Sequence, residues 1–271
     1  MLHYLGYFAA IFIGLALGIM GGGGSILTVP VLVYLMGVSP VLSTAYSLFV
    51  VGSTSAVGAA GYFRRGLVSL PTALVFLAPS LAAVFLVRKV LLPALPHELF
   101  TVGRIVFTKD LLVLVAFAGL MVAAAVSMIR RPPAGAATDD QPLARPLNYP
   151  LILGIGLVVG TLTGFVGAGG GFLIIPALVL GARLPMKLAV GTSLAIIALN
   201  SLIGFTGDLS AGTPIDWAFI LGFLAFALGG IVLGTYLARF IPGARLKPAF
   251  GWFTLAMGTF ILIKELLFHH A

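Results

Sequence analysis

The chain contains no cysteine, and only 8% of its 271 residues are charged. Without cysteine there is no disulfide framework, no thiol nucleophile and no cysteine-held metal. Soluble chains carry about 25% charged residues, so a soluble globular domain is excluded. No His-Glu-x-x-His metal pattern occurs, and no aspartate pair lies within an apolar run. The four histidines, His3, His97, His269 and His270, all stand at the edges of apolar runs, so no intramembrane serine–histidine pair can form. These absences argue against an enzyme, and no cofactor is called for. The N-terminal Met-Leu-His-Tyr-Leu-Gly-Tyr lacks the basic region of a cleavable signal peptide, so the first apolar run is expected to be retained.

What is present is apolar. Hydrophobic residues make up 61% of the chain and the mean hydropathy is +1.20. Several runs reach the ~20 residues that a bilayer crossing needs. An all-α polytopic membrane protein is expected. The net charge of +8 is spread in short clusters between apolar runs, which is the pattern of membrane loops and not of a nucleic-acid surface.

Eight apolar segments can be read, at about 4–36, 41–62, 69–87, 110–129, 149–182, 187–206, 215–238 and 249–267. Pro40, Pro71, Pro150, Pro185, Pro214 and Pro248 stand near segment starts, where a missing N–H costs least. The stretch 130–148, with Pro132, Pro133, Gly135, Asp139, Asp140, Pro142 and Pro146, reads as a polar linker. It separates a first transmembrane repeat, 1–129, from a second, 149–271.

The two parts are copies. At a constant offset of 146, Gly14, Gly18, Gly21, Gly23, Gly24, Leu27 and Pro30 match Gly160, Gly164, Gly167, Gly169, Gly170, Leu173 and Pro176. Leu42, Ser47, Leu48, Ser55 and Gly58 match Leu188, Ser193, Leu194, Ser201 and Gly204 in the same register.

Each copy opens on an apolar run interrupted by glycine: Gly21-Gly-Gly-Gly-Ser25 in the first, Gly167-Ala-Gly-Gly-Gly171 in the second. Each glycine costs a helix about 1 kcal/mol relative to Ala, so packing alone accounts poorly for runs this dense. Breaks of this kind are tolerated in a bilayer where the backbone lines a cavity, and in transporters they mark binding sites. A helix restarting after such a break presents unpaired N–H groups and partial positive charge, suited to a small anion. Glycine lets the ligand approach them closely. The spaced Gly14, Gly18, Gly160 and Gly164 instead read as helix-packing positions.

The next segment of each half adds hydroxyl and amide groups. Ser47 and Thr54 share a helical face, as do Ser193 and Asn200. Such groups hold an anion without placing a fixed charge in the membrane, although an isolated serine more often bonds its own helix. The candidate binding set is Gly22, Gly23, Gly24, Ser25, Ser47, Gly169, Gly170, Gly171, Thr192, Ser193 and Asn200. No Asp or Glu is expected deep within a segment, with Asp208 and Asp216 flanking a loop. Lys187, opening the sixth segment, is either an attractor of anions or a snorkelling interfacial lysine.

The glycine segments are too long for one straight crossing: thirty helical residues span about 45 Å against a ~30 Å hydrocarbon core. Single crossings put nine Lys/Arg on one side and six on the other. Re-entrant glycine segments put ten (Arg64, Arg65, Arg130, Arg131, Arg145, Arg183, Lys187, Arg239, Arg245, Lys247) against five (Arg88, Lys89, Arg104, Lys109, Lys264). The second arrangement makes the halves inverted repeats, with the linker cytoplasmic.

Gly164-Phe-Val-Gly-Ala-Gly-Gly-Gly-Phe-Leu-Ile-Ile-Pro176, followed by Lys187-Leu-Ala-Val-Gly-Thr-Ser193, resembles the TauE/SafE sulfite exporter (TSUP) family over essentially the whole chain. The first half departs from that pattern, with Ser43-Thr-Ala-Tyr-Ser47 where the second has Ala189-Val-Gly-Thr-Ser193. The resemblance implies a multi-pass inner-membrane protein of seven to nine helices that carries small sulfur-containing or organic anions. The expected function is a secondary transporter exporting sulfite or a related sulfonate by alternating access around a midplane site. An anion channel and a non-transporting membrane scaffold are the alternatives. The expected partners are that small anion and membrane lipid, with a second copy of the chain as a further candidate and no nucleic acid.

Overall fold

The computed structural model describes residues 2–96, 98–102, 105–130, 149–166 and 170–268. The linker from 131 to 148, the stretch Gly167-Ala168-Gly169, and His97, His269 and His270 lie outside the described residues.

The first half comprises α1 (Leu2–Met20), α2 (Gly23–Tyr34), α3 (Pro40–Phe63) and α4 (Leu70–Leu86). A π-turn (Val87–Leu91) and a short α5 (Leu92–Ala94) extend α4. A hairpin of β1 (Glu98–Val102) and β2 (Ile105–Thr108) precedes α6 (Lys109–Arg130). The second half comprises α7 (Tyr149–Val166), α8 (Gly171–Pro176) with a π-turn (Ala177–Gly181), α9 (Met186–Ser210), α10 (Trp217–Leu237) and α11 (Gly243–Phe268). The all-α architecture is as expected, with the small hairpin added beside it. α11 begins some five residues before its expected start, so Pro248 falls inside the helix.

Among the described residues, five helices are long and apolar enough to cross a membrane: Pro40–Phe63, Leu70–Ala94, Tyr149–Val166, Met186–Ser210 and Trp217–Phe240. The surface is strongly apolar, and the largely apolar interior also holds a set of buried polar side chains. Ser25, Ser43, Thr44, Ser47, Thr192, Ser193, Asn200 and Ser201 are fully buried, whereas Phe8, Leu74, Leu86, Val158, Val232 and Trp252 are exposed. Lipid does not drive apolar side chains inward as water does, so polar groups that need partners collect between the helices.

Both glycine segments fold back on themselves. At Gly21 φ is +74° and at Gly170 it is +68°, left-handed backbone that glycine adopts without a Cβ clash. After the first reversal, Gly24 lies against Ile13 and Leu17, and Met36 returns to the level of Gly6. In a continuous helix Gly6 and Met36 would be about 45 Å apart. After the second, Gly170 lies against Thr163 and Gly181 against Ile155. Each opening segment is therefore a re-entrant hairpin.

Close glycine contacts set the directions of the remaining helices. Gly14 of α1 meets Ala227 and Ile231 of α10, and Gly18 meets Gly234 and Thr235, so the two helices run parallel: a Cβ on Gly18 would sit 2.6 Å from the Thr235 nitrogen. The matching pair is α7 on α4, where Gly156, Gly160 and Gly164 advance along Phe76, Ser80 and Val84. α3 and α9, counterparts of each other, run antiparallel: Gly52 meets Ser201 and Leu202, while Gly191 meets Tyr62. Counterparts that cross antiparallel are exchanged only by a two-fold axis perpendicular to them, which makes the halves inverted repeats.

The termini therefore share one face and the linker leaves from the other. Lys264, near the end of α11, stacks 3.4 Å over the ring of Tyr34 at the end of α2, which fixes α11 in the same scheme. Among the residues whose side chains are described, Arg64, Arg65, Arg183, Lys187 and Arg239 fall to the linker face and Lys89 and Lys264 to the termini face, in keeping with the re-entrant distribution. Arg88, which fits a loop badly in that scheme, is not in a loop. It lies in the π-turn that prolongs α4 and is fully buried.

Candidate substrate site at the paired helix breaks

The two reversals meet. A Cβ on Gly22 would run into the carbonyl of Gly171, and one on Gly171 would sit 2.6 Å from the Cα of Gly22 and 3.1 Å from Ser25 Oγ. Ile197, close to the middle of α9, borders the same contact. Ser25 and Gly171 are counterparts at the 146 offset, so the pseudo-two-fold axis passes between them.

α2 and α8 both start at this contact, and neither start is capped by a side chain. Asp216 caps α10 by accepting from the Phe219 nitrogen at 3.1 Å, so side-chain capping is used elsewhere in the bundle. At α8 the Leu173 and Ile174 nitrogens donate to the Gly170 carbonyl. At α2, Ser25 Oγ donates to the Gly22 carbonyl at 2.7 Å, which holds the turn. The first N–H groups of a helix carry its partial positive charge, and here two such ends share one buried place.

Gly22, Ser25, Gly170 and Gly171 of the candidate set therefore lie together, Gly23 and Gly24 stand in the first turn of α2, and Gly169 lies outside the described residues. Ser193 joins them: Gly21 lies against its hydroxyl, which donates to the Val190 carbonyl. Ser47, the counterpart of Ser193, is buried and its Oγ has no hydrogen-bond partner. Asn200 sits one turn beyond Ile197 and faces α4, where Ser80 Oγ donates to Asn200 Oδ1 at 2.9 Å and Asn200 Nδ2 is left without a partner. Thr192 points away from the breaks, its Oγ1 accepting from the Ser69 nitrogen at the α3–α4 turn. Lys187 stands in the first turn of α9, toward the linker face.

Two features escape a reading of the sequence. Thr163, buried with an unpartnered Oγ1, packs on Gly170. Leu17 packs on Gly24 at the matching place in the first half, so the second half carries a hydroxyl where the first is apolar. The offset of 146 pairs Thr163 with Leu17 and is the signal that finds it. Asp208, expected beside a loop, is buried in α9 and pairs with Arg88 across 120 positions of sequence.

Inverted repeats, each with a re-entrant broken helix, with polar groups buried between the helices and an apolar surface define a polytopic membrane transporter. The chain belongs to the sulfite exporter TauE/SafE family, whose model matches residues 6–261. It is 29% identical over 257 residues to a probable membrane transporter protein of Xylella fastidiosa, covering 93% of this chain and 92% of that one. It is 27% identical over 233 residues to the probable membrane transporter protein YunE of Bacillus subtilis, covering 82% and 83% respectively. No solved structure matches the chain.

Proposed function

We propose that this protein is a secondary transporter that exports a small oxyanion of the sulfite or sulfonate class across the inner membrane. The supporting observation is the contact of two uncapped helix starts at Gly22 and Gly171, both buried at the middle of the bundle. Main-chain amides from both halves would neutralise the anion there without a cationic side chain. Ser25, Ser193, Thr163 and the partnerless Ser47 Oγ and Asn200 Nδ2 would complete its shell. A buried polar atom without a partner costs about 1–3 kcal/mol, and a bound oxyanion would accept from the unpartnered Ser47, Thr163 and Asn200 donors.

Gly22 and Gly171 pack backbone on backbone, so the anion enters only when the halves part. Rocking one repeat against the other about this contact would open it to one face at a time. The linker face, with its basic excess, would be cytoplasmic. Membrane lipid covers the apolar surface, and the role is transport and not catalysis. Sulfite efflux from proteoliposomes tests the proposal, and its absence under an imposed sulfite gradient contradicts it.

A further inference from the structure

Away from the helix breaks, one guanidinium among the described residues is fully buried and is not used by the proposed site. Arg88 is fully buried, and its Nη1 donates to Thr44 Oγ1 at 2.9 Å and to both Asp208 oxygens at 3.3 Å. All three bonds come from one nitrogen. Nε and Nη2, the edge that presents two parallel N–H donors, have no partner. Arg88 and Asp208 both line a cavity of about 170 Å³ at the termini face, together with Val41, Pro93, Thr213 and Pro214. Water occupies about 30 Å³ per molecule in the liquid, so this volume admits an anion of four or five heavy atoms.

The fold does not require an ion pair at this place. The counterparts of Arg88 and Asp208 at the 146 offset are Gly234 and Tyr62, and Gly234 closes its own contact by packing on Leu15. Buried ion pairs are weak stabilisers once desolvation is counted. The carboxylate also engages the guanidinium end-on, without the two-point fork that makes such pairs strong.

We propose that Arg88 is a second anion station, facing the termini side, which takes an oxyanion on its Nε–Nη2 edge while Asp208 competes for the same charge. The choice of a sulfur oxyanion rests on the function proposed above, whereas the station itself rests on the guanidinium and its cavity. An anion leaving the midplane would meet Arg88 next, and Asp208 would keep its residence there short. The station exists in one half only, so it makes the two faces of an otherwise symmetric carrier unequal.

The experiment is a thermal-shift titration of the purified full-length protein with sodium sulfite and sodium methanesulfonate. A ligand that binds only the folded state raises Tm with concentration. Asp208→Asn removes the competitor, and its half-saturating concentration should fall about tenfold below that of the unsubstituted protein, since a charge-assisted bond is released to the anion. Adding Arg88→Lys to Asp208→Asn should abolish that gain, because an ammonium lacks the fork. An unchanged response in Asp208→Asn, or a gain that survives Arg88→Lys, overturns the station. Should Asp208→Asn fail to fold, Arg88→Lys alone, which keeps the charge beside Asp208, must weaken the response; an undiminished response overturns the proposal. Transport assays separate the two ideas. A tighter Asp208→Asn in a protein that moves no sulfite keeps the station and removes the transporter, and the converse result does the reverse.

Discussion

Gly22 and Gly171, from opposite halves of the chain, pack so closely that neither accommodates a side chain: a Cβ on Gly171 would sit 2.6 Å from the Cα of Gly22. The contact is backbone on backbone, so neither neighbour can move aside by changing rotamer. Gly22→Ala or Gly171→Ala should each destabilise the protein by about 1–3 kcal/mol, as overpacking does, and should abolish transport. Gly119→Ala and Gly229→Ala, where nothing stands within 4 Å of the new Cβ, should be neutral or slightly stabilising. Melting curves and efflux rates of the four variants check both halves of this statement.

The inverted topology makes a prediction that the absence of cysteine makes clean to test. Ser39 and Ala211 are exposed at turns on the termini face, Arg64 and Pro242 at turns on the linker face. Single cysteines at the first two should react with a membrane-impermeant maleimide from one side of the membrane, and those at the second two from the other. Ser39 and Ala211 labelling from opposite sides would contradict the re-entrant second hairpin.

Helix packing should be sensitive where glycines interlock. A Cβ on Gly230 would run into the Ile11 carbonyl and approach the Leu15 nitrogen to 3.0 Å. Gly230→Val should therefore force α1 from α10 and destabilise by about 3 kcal/mol or more. The adjacent Gly229→Val, directed into open space, should be nearly neutral. Equal melting temperatures for the two would contradict the parallel α1–α10 seam.

The hydroxyls unique to the second half should affect turnover more than folding. Thr163→Val keeps the shape beside Gly170 and removes a buried Oγ1 that has no partner. Stability should change by less than about 1 kcal/mol or rise, because an unsatisfied group is lost. Sulfite affinity should fall by about three- to tenfold, the loss of one hydrogen bond of roughly 1 kcal/mol. An unchanged affinity places Thr163 outside the shell.

Much of this is legible in the chain because it depends on local signals. Hydropathy marks the eight segments, and glycine clusters mark the two reversals, since left-handed backbone at Gly21 and Gly170 excludes most other residues. The 146 offset exposes the duplication, and charge counting favours the re-entrant arrangement that the helix contacts establish. What escapes is set by distant partners. Arg88 and Asp208 look like loop charges when α4 is ended at Val87, because the π-turn that carries Arg88 inward has no composition of its own. Their pairing depends on α4 lying beside α9, as does the bond from Ser80 to Asn200. Thr192 stands next to Ser193 in the candidate set, yet the ~100° step between neighbours on a helix turns it to the α3–α4 turn.

The central claim is that the paired breaks at Gly22 and Gly171 carry the anion. Its most direct test is sulfite counterflow in proteoliposomes: radiolabelled sulfite outside, excess unlabelled sulfite inside, with the unsubstituted protein beside Gly171→Ala and Gly119→Ala. The account predicts transient accumulation of label by the unsubstituted protein and by Gly119→Ala, and none by folded Gly171→Ala. Counterflow by Gly171→Ala equal to that of the unsubstituted protein would contradict it.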